Sequence, residues 1–178
     1  MGEVRDAAGL TEEEFLKQYD PDKYPKPSLT ADVVIFRVFP KDGGTGSGKG
    51  QDAEKEPEVL LIRRGGHPYL GCYAFPGGFS NRDEAMEETA KRELQEETGI
   101  TGIDPKLVGI YSKPGRDPRG WTISAAYMAV FNADEVEAEA GDDAAAVAWV
   151  GLSKALEMKL AFDHSEILRD AIAVFRAN

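Results

Sequence analysis

Glu93, Glu96 and Glu97 stand at positions i, i+3 and i+4 of the run Arg92-Glu-Leu-Gln-Glu-Glu97. On a helix that spacing brings the three side chains to one face. Converging carboxylates repel one another unless protons or a cation intervene. A cluster of hard oxygen ligands selects Mg²⁺, with Mn²⁺ as a substitute. A cation held there can polarise a phosphoryl oxygen, activate water near neutral pH and neutralise a diphosphate leaving group. No motif sets a nucleophilic Ser or Cys beside a base. The economical chemistry is therefore metal-assisted attack of water on phosphorus.

The element that must position these groups is GFSNRDEAMEETAKRELQEETGI, Gly78 to Ile100. Met86, Ala90 and Leu94 recur every four residues and make an apolar stripe. At roughly 100° per residue, Glu97 falls on the axis of that stripe and Glu93 beside it. Both carboxylates should then point at the protein body. Asn81 is the expected N-cap, with Glu84 as its capping-box partner. Gly99 is the expected left-handed C-terminal cap. Pro76-Gly77-Gly78 should form a tight turn that brings backbone close to the helix. Glu87 and Glu88 read as surface.

The same stretch resembles the signature of the Nudix hydrolase family, G-x5-E-x7-R-E-U-x-E-E-x-G-U, where U is a bulky aliphatic residue. Gly78, Glu84, Arg92, Glu93, Leu94, Glu96, Glu97, Gly99 and Ile100 fill its fixed positions without a gap. The resemblance implies an α+β fold, the α/β/α sandwich with a mixed β-sheet. It implies hydrolysis of a nucleoside diphosphate linked to another group. It makes Glu93, Glu96 and Glu97 metal ligands, with a backbone carbonyl of Gly77 or Gly78 as a further one. Glu84 would complete the cluster through a water, and Arg92 would hold the glutamates by ion pairing. For Glu84, pure helix capping is the competing reading. The general base is expected from a loop outside the signature. Asp142 and Asp143 are its candidates, against the reading of an exposed acidic turn.

A softer likeness, to the ADP-ribose pyrophosphatase branch, runs through LLIRRGGHPYLGCYAFPGGF, GIYSKPGRDPRGWTISAAY, AGDDAAAVAWV and AFDHSEIL. It implies cleavage of ADP-ribose to AMP and ribose 5-phosphate. Arg63 and Arg64 read either as phosphate contacts or as solvated strand-end charge. Arg116 and Arg119 offer contacts to phosphate or the terminal ribose, against the reading of loop charges in solvent. Tyr or Phe rings near the cleft would stack on adenine. His164 reads as structural, hydrogen-bonded near the last strand, with substrate contact as the competing reading. Two other functions remain: a pyrophosphatase for oxidised or normal nucleoside triphosphates, and a Nudix-like ligand-sensing transcription regulator. Such regulators add a C-terminal winged helix. This chain ends at Asn178, soon after its last core helix, and keeps the glutamates, so the regulator stands last.

With 178 residues, 42% apolar and 30% charged, the chain suits one core. Residues 1–28 read as an arm with a short helix opened by the Thr11–Glu14 capping box, its apolar face Phe15, Leu16 and Tyr19. Residues 29–178 read as the hydrolase domain, interrupted by a flexible loop at about 41–57. Strands are expected at 32–39, 59–63, 74–75, 107–111, 121–131 and 144–152. Ser153 would cap a short turn, and Asp163 or Ser165 a final helix to Arg176. The net charge of −11 argues against nucleic acid and anionic membrane as partners. It also repels a phosphorylated substrate unless a divalent cation bridges the two. The single cysteine, Cys72, allows no intramolecular disulfide and reads as a small packing residue. No secretory segment or apolar span appears, so a cytoplasmic protein is expected, with a homodimer as its assembly.

Overall fold

A computed structural model of the chain describes residues 3–39, 55–138 and 144–177. The expected loop at about 41–57 lies almost wholly outside the described residues, and Asp142 and Asp143 lie wholly outside them.

The central strand, β1 (Ser28–Val38), carries Val33-Val-Ile-Phe36 with no polar alternation. A strand covered on both faces needs such a run, and all four side chains are fully buried. Successive residues take opposite faces. Val33 and Ile35 join one apolar layer, Val34 and Phe36 the other. β2 (Glu58–Arg64) pairs antiparallel with β1 and divides the same way, Leu60 to the first layer and Val59 and Leu61 to the second. α2 (Met86–Thr98) covers the first layer with Ala90 and Leu94. α4 (His164–Ala177) covers the second with Ile167, Leu168 and Ile172. Each such aliphatic side chain contributes about 1.5–3 kcal/mol by leaving water. The result is the expected α/β/α sandwich.

The other strands are β3 (Tyr73–Ala74), β4 (Gly77–Phe79), β5 (Lys106–Tyr111), β6 (Thr122–Asn132) and β7 (Ala144–Gly151). Among the described residues the sheet runs β3-β2-β1-β6-β5, with β4 also on β1 and β7 also on β2. β1 and β6 are parallel and the other strand pairs antiparallel, so the sheet is mixed. α1 (Glu12–Gln18) and α3 (Leu152–Glu157) complete the elements.

Four local expectations need correction. Pro76–Gly78 is not merely a turn, because Gly77–Phe79 forms β4 against Thr30–Asp32 of β1. α2 begins at Met86, after Ala85, not at Asn81. Asp83 takes a left-handed φ of 64° and ends the preceding turn there. The Ala85 N–H is instead accepted by Glu88 at 3.0 Å. Ser153 lies inside α3, donating to Glu56 at 2.6 Å. At α4 the Asp163 carboxylate is drawn away to Arg116. In the arm, the Thr11–Glu14 capping box forms as expected, yet no α1 residue is buried and Phe15, Leu16 and Tyr19 are exposed.

Candidate active site

The helical period places the signature side chains. Leu94 is fully buried, Glu93 and Glu97 are half-buried beside it, and Glu96 is exposed. Arg92 is the hub. Its Nε and Nη2 donate to the two oxygens of Glu84 at 2.7 and 3.0 Å, and Nη1 donates to Glu93 at 2.7 Å and to Glu96 at 3.1 Å. Nη2 also donates to the Phe79 carbonyl at 2.9 Å, tying the helix to β4. Glu84 accepts further from the Thr89 hydroxyl and the Asn81 N–H, both at 2.9 Å. Arg92, with these hydrogen bonds, pulls the Glu84 carboxyl down to about 2. Glu84 is thus an ion-pair partner of Arg92 and not a cap of α2.

Glu93 behaves oppositely. Burial pushes its pKa up, Arg92 pulls it down, and Glu96 and Glu84 push it up again; the net direction is upward. Its negative charge is under-compensated even beside an arginine.

β4 faces these carboxylates with glycines. A Cβ on Gly78 would lie 2.5 Å from the Glu93 carboxyl carbon. Gly77 has φ +155°, and a Cβ there would lie 2.2 Å from the Ala31 carbonyl oxygen. Only glycine lets the backbone lie this close to both β1 and the helix. The Gly77 N–H donates to Glu97 Oε2 at 2.8 Å.

Among the described residues no three Asp, Glu, His or Cys side chains already stand at metal-ligand spacing. Arg92 explains this, since its guanidinium occupies Glu93 and Glu96 together. The donor chemistry nonetheless fits a hard divalent cation: three carboxylates against a backbone without side chains, one of them short of positive charge.

A cleft of about 620 Å³ opens above this floor, lined by Arg64, Gly77, Gly78, Glu93, Glu97 and Arg119 among others. It shares Arg64, Gly77, Gly78, Phe79 and Arg119 with a narrower recess that reaches Asp32, Arg116, Asp117, Phe162 and His164. The expected arginines therefore separate. Arg64 borders both spaces, and burial followed by the Arg119 charge pushes its pKa down. Arg119 forks onto Asp117 at 2.7–3.1 Å and lies over the Phe79 ring at 4.7 Å. Two cations held close in a cleft welcome an anion. Arg116 borders the recess but is buried, its fork spent on Asp163 at 2.6 and 2.8 Å. Burial pulls its pKa down, and Asp163 more than restores it. Arg63 is exposed and borders neither space; its Nε donates to the Gly71 carbonyl at 3.3 Å.

Three groups at the site escaped the sequence reading. Asp32 is a buried carboxylate that accepts from Ser124 at 2.5 Å. The signal was present: a charge heading an apolar strand run. Asp117 and Phe162, which flank Arg119, carried no such signal. His164 is buried, its Nδ1 accepting the Phe75 N–H at 2.9 Å, and it lines the recess.

In this three-layer sandwich a glutamate-rich helix faces a cleft floored by Gly77 and Gly78 and lined by Arg64 and Arg119. The chain belongs to the Nudix family: the NUDIX domain model matches residues 29–171. It is a Nudix hydrolase, and such hydrolases generally use a divalent metal. It is 44% identical over 119 residues to an ADP-ribose pyrophosphatase of Methanocaldococcus jannaschii, covering 66% of this chain and 67% of that one. It is 34% identical over 165 residues to the ADPR responsive transcriptional repressor NtrR of Acinetobacter baylyi, covering 92% of this chain and 60% of the repressor. The chain thus spans less than two thirds of that relative. Among solved structures, the NUDIX domain of Shewanella oneidensis NrtR complexed with ADP ribose superimposes with a TM-score of 0.76 at 30% identity, covering 93% of this chain and 99% of that one.

Proposed function

We propose that this chain hydrolyses the diphosphate of ADP-ribose, giving AMP and ribose 5-phosphate, with Mg²⁺ as the cation and Mn²⁺ as a substitute. Glu93, Glu96, Glu97 and the Gly78 carbonyl would hold the cation. The observation that carries the reading is the placing of Glu93 and Glu97 at the cleft floor against the side-chain-free backbone of Gly77 and Gly78. The 44% identity to an ADP-ribose pyrophosphatase supports the substrate.

When bound, the cation polarises a phosphoryl oxygen and lowers the pKa of water. The chain's own groups do the rest. Arg92 holds the glutamates in register through Glu84, Glu93 and Glu96. Arg64 and Arg119 contact the diphosphate oxygens. Water attacks one phosphorus, the bridging P–O bond breaks, and the leaving phosphate keeps the bridging oxygen. The proton passes to a carboxylate base, for which Asp142 and Asp143 are the proposed groups. The Phe79 and Phe162 rings, which line the recess, would stack on a base or sugar.

The test is release of the corresponding nucleoside monophosphate from a panel of ADP-ribose, other nucleoside diphosphate conjugates and deoxynucleoside triphosphates, each with Mg²⁺. ADP-ribose should give the highest kcat/KM. A triphosphate turned over faster would replace it as the substrate. A second reading, an ADP-ribose-sensing domain of a transcription regulator, is favoured by the repressor relative that covers 92% of this chain. Tight ADP-ribose binding without AMP release, together with a gel shift on operator-like DNA, would establish that reading.

A further inference from the structure

A buried polar cluster lies beneath the cleft, and the proposed reaction makes no direct use of it. Asp32 of β1 is 7% exposed. Its Oδ2 accepts from Ser124 of β6 and lies 3.8 Å from the Arg116 guanidinium. Its Oδ1 faces Nε2 of His164 at 3.4 Å. His164, the first residue of α4, is 3% exposed and stacks on the Phe75 ring at 5.2 Å. Its Nδ1 accepts the Phe75 N–H, so a neutral imidazole carries its proton on Nε2, toward Asp32. Burial pushes the His164 pKa down and favours that neutral form.

Phe75 begins a four-residue segment that ends at Gly78. Gly77 and Gly78 pair with Asp32 and Ala31 of β1, and three further hydrogen bonds hold the segment: Phe75 N–H on His164, Pro76 carbonyl on the Val33 N–H at 2.8 Å, and Gly77 N–H on Glu97 at 2.8 Å. The chain of contacts from Asp32 through His164 thus ends on a signature carboxylate carried by a helix on the other side of the sheet.

We propose that His164, oriented by Asp32, is a positioning residue for the cation site, setting where the Phe75–Gly78 segment holds the Glu97 carboxylate and the Gly78 carbonyl. The inference rests on the cation reading of Glu93, Glu96, Glu97 and Gly78. Without an acceptor at Nδ1 the buried Phe75 N–H is unpaired, and the segment must move to find water or another partner. Groups that orient ligands in this way are typically worth about 10–100-fold in metal affinity or activity.

The test is Mn²⁺ titrated onto the purified full chain, with free Mn²⁺ followed by electron paramagnetic resonance and no substrate present. His164→Leu should weaken Mn²⁺ about tenfold or more, while His164→Asn, whose amide oxygen falls at the Nδ1 position, should stay within about threefold of wild type. Equal affinity in His164→Leu and wild type overturns the proposal, even with a lowered melting temperature, because packing alone accounts for that. Equal weakening in the Asn and Leu variants overturns it too. Should His164→Leu fail to fold, His164→Asn and His164→Gln make the comparison, since the Gln amide falls at the Nε2 position. Tight Asn with weak Gln supports the proposal, and equal affinities overturn it. A wild type that binds no Mn²⁺ sinks the cation reading itself. A wild type that binds Mn²⁺ but releases no AMP from ADP-ribose sinks only the substrate reading.

Discussion

Arg92 is the side chain on which the site's charges balance. It spends its donors on Glu84, Glu93, Glu96 and the Phe79 carbonyl, and so joins three carboxylates to β4. Glu84 gains most, its carboxyl held near 2 against a usual 4.5. A depressed carboxyl stabilises the fold above its unfolded pKa, and that contribution fades as pH falls through the folded value. Wild type should therefore melt above Glu84→Gln at pH 7. The gap should close between pH 4.5 and about 2. Thermal melts of both proteins across that range check this, and a gap that persists at pH 2 would contradict the ion-pair account. A cation held by Glu93 and Glu96 would compete with Arg92 for those two carboxylates, whereas the Arg92 fork on Glu84 involves neither of them. Glu84 is the carboxylate that holds Arg92 by a two-point fork.

At the scale of elements, β4 is the device that turns a helix into a site. Its two glycines separate stability from activity. Gly77→Ala drives a methyl into the Ala31 carbonyl at a φ of +155° and should cost about 1–3 kcal/mol or more, as overpacking does. Gly78→Ala meets only the end of the Glu93 side chain, which can swing aside. Its melting temperature should change little while its turnover collapses. Denaturant unfolding and AMP release on both variants decide this, and the reverse pattern would refute it. The inward aim of Glu93 and Glu97 was legible in the sequence because the helical period of Met86, Ala90 and Leu94 carries it. The longer strands were legible because runs such as Val33–Phe36 need cover on both faces, whereas β4, with its two glycines, was read as a turn. The start of α2 was not legible. Asn81 and Glu84 satisfy a local capping pattern, but Arg92, eight residues on, claims the Glu84 carboxylate. Asp32 stood out as a charge heading an apolar run, but its partners Ser124, Arg116 and His164 are distant in sequence and meet it only in the fold. Arg63 and Arg64 look alike as strand-end charges, and only the folded cleft separates them.

For the whole molecule, a net charge of −11 sets a problem that the fold answers locally. On the proposed reading a diphosphate would be repelled at a distance and accepted where Arg64 and Arg119 line the cleft and a cation offsets the glutamates. No helix among the described residues is long and apolar enough to cross a membrane. A homodimer would give the exposed Phe15, Leu16 and Tyr19 of α1 a surface to cover them. The central claim is that this acidic sandwich cleaves ADP-ribose with a cation held by the signature glutamates. Its most direct test is AMP release from ADP-ribose by wild type and Glu97→Gln at saturating Mg²⁺. Wild-type turnover should vanish with chelator and return with Mg²⁺. Glu97→Gln should fall by about a hundredfold or more with an unchanged circular dichroism spectrum. Wild-type turnover in Glu97→Gln, or turnover by wild type in excess chelator, would contradict it.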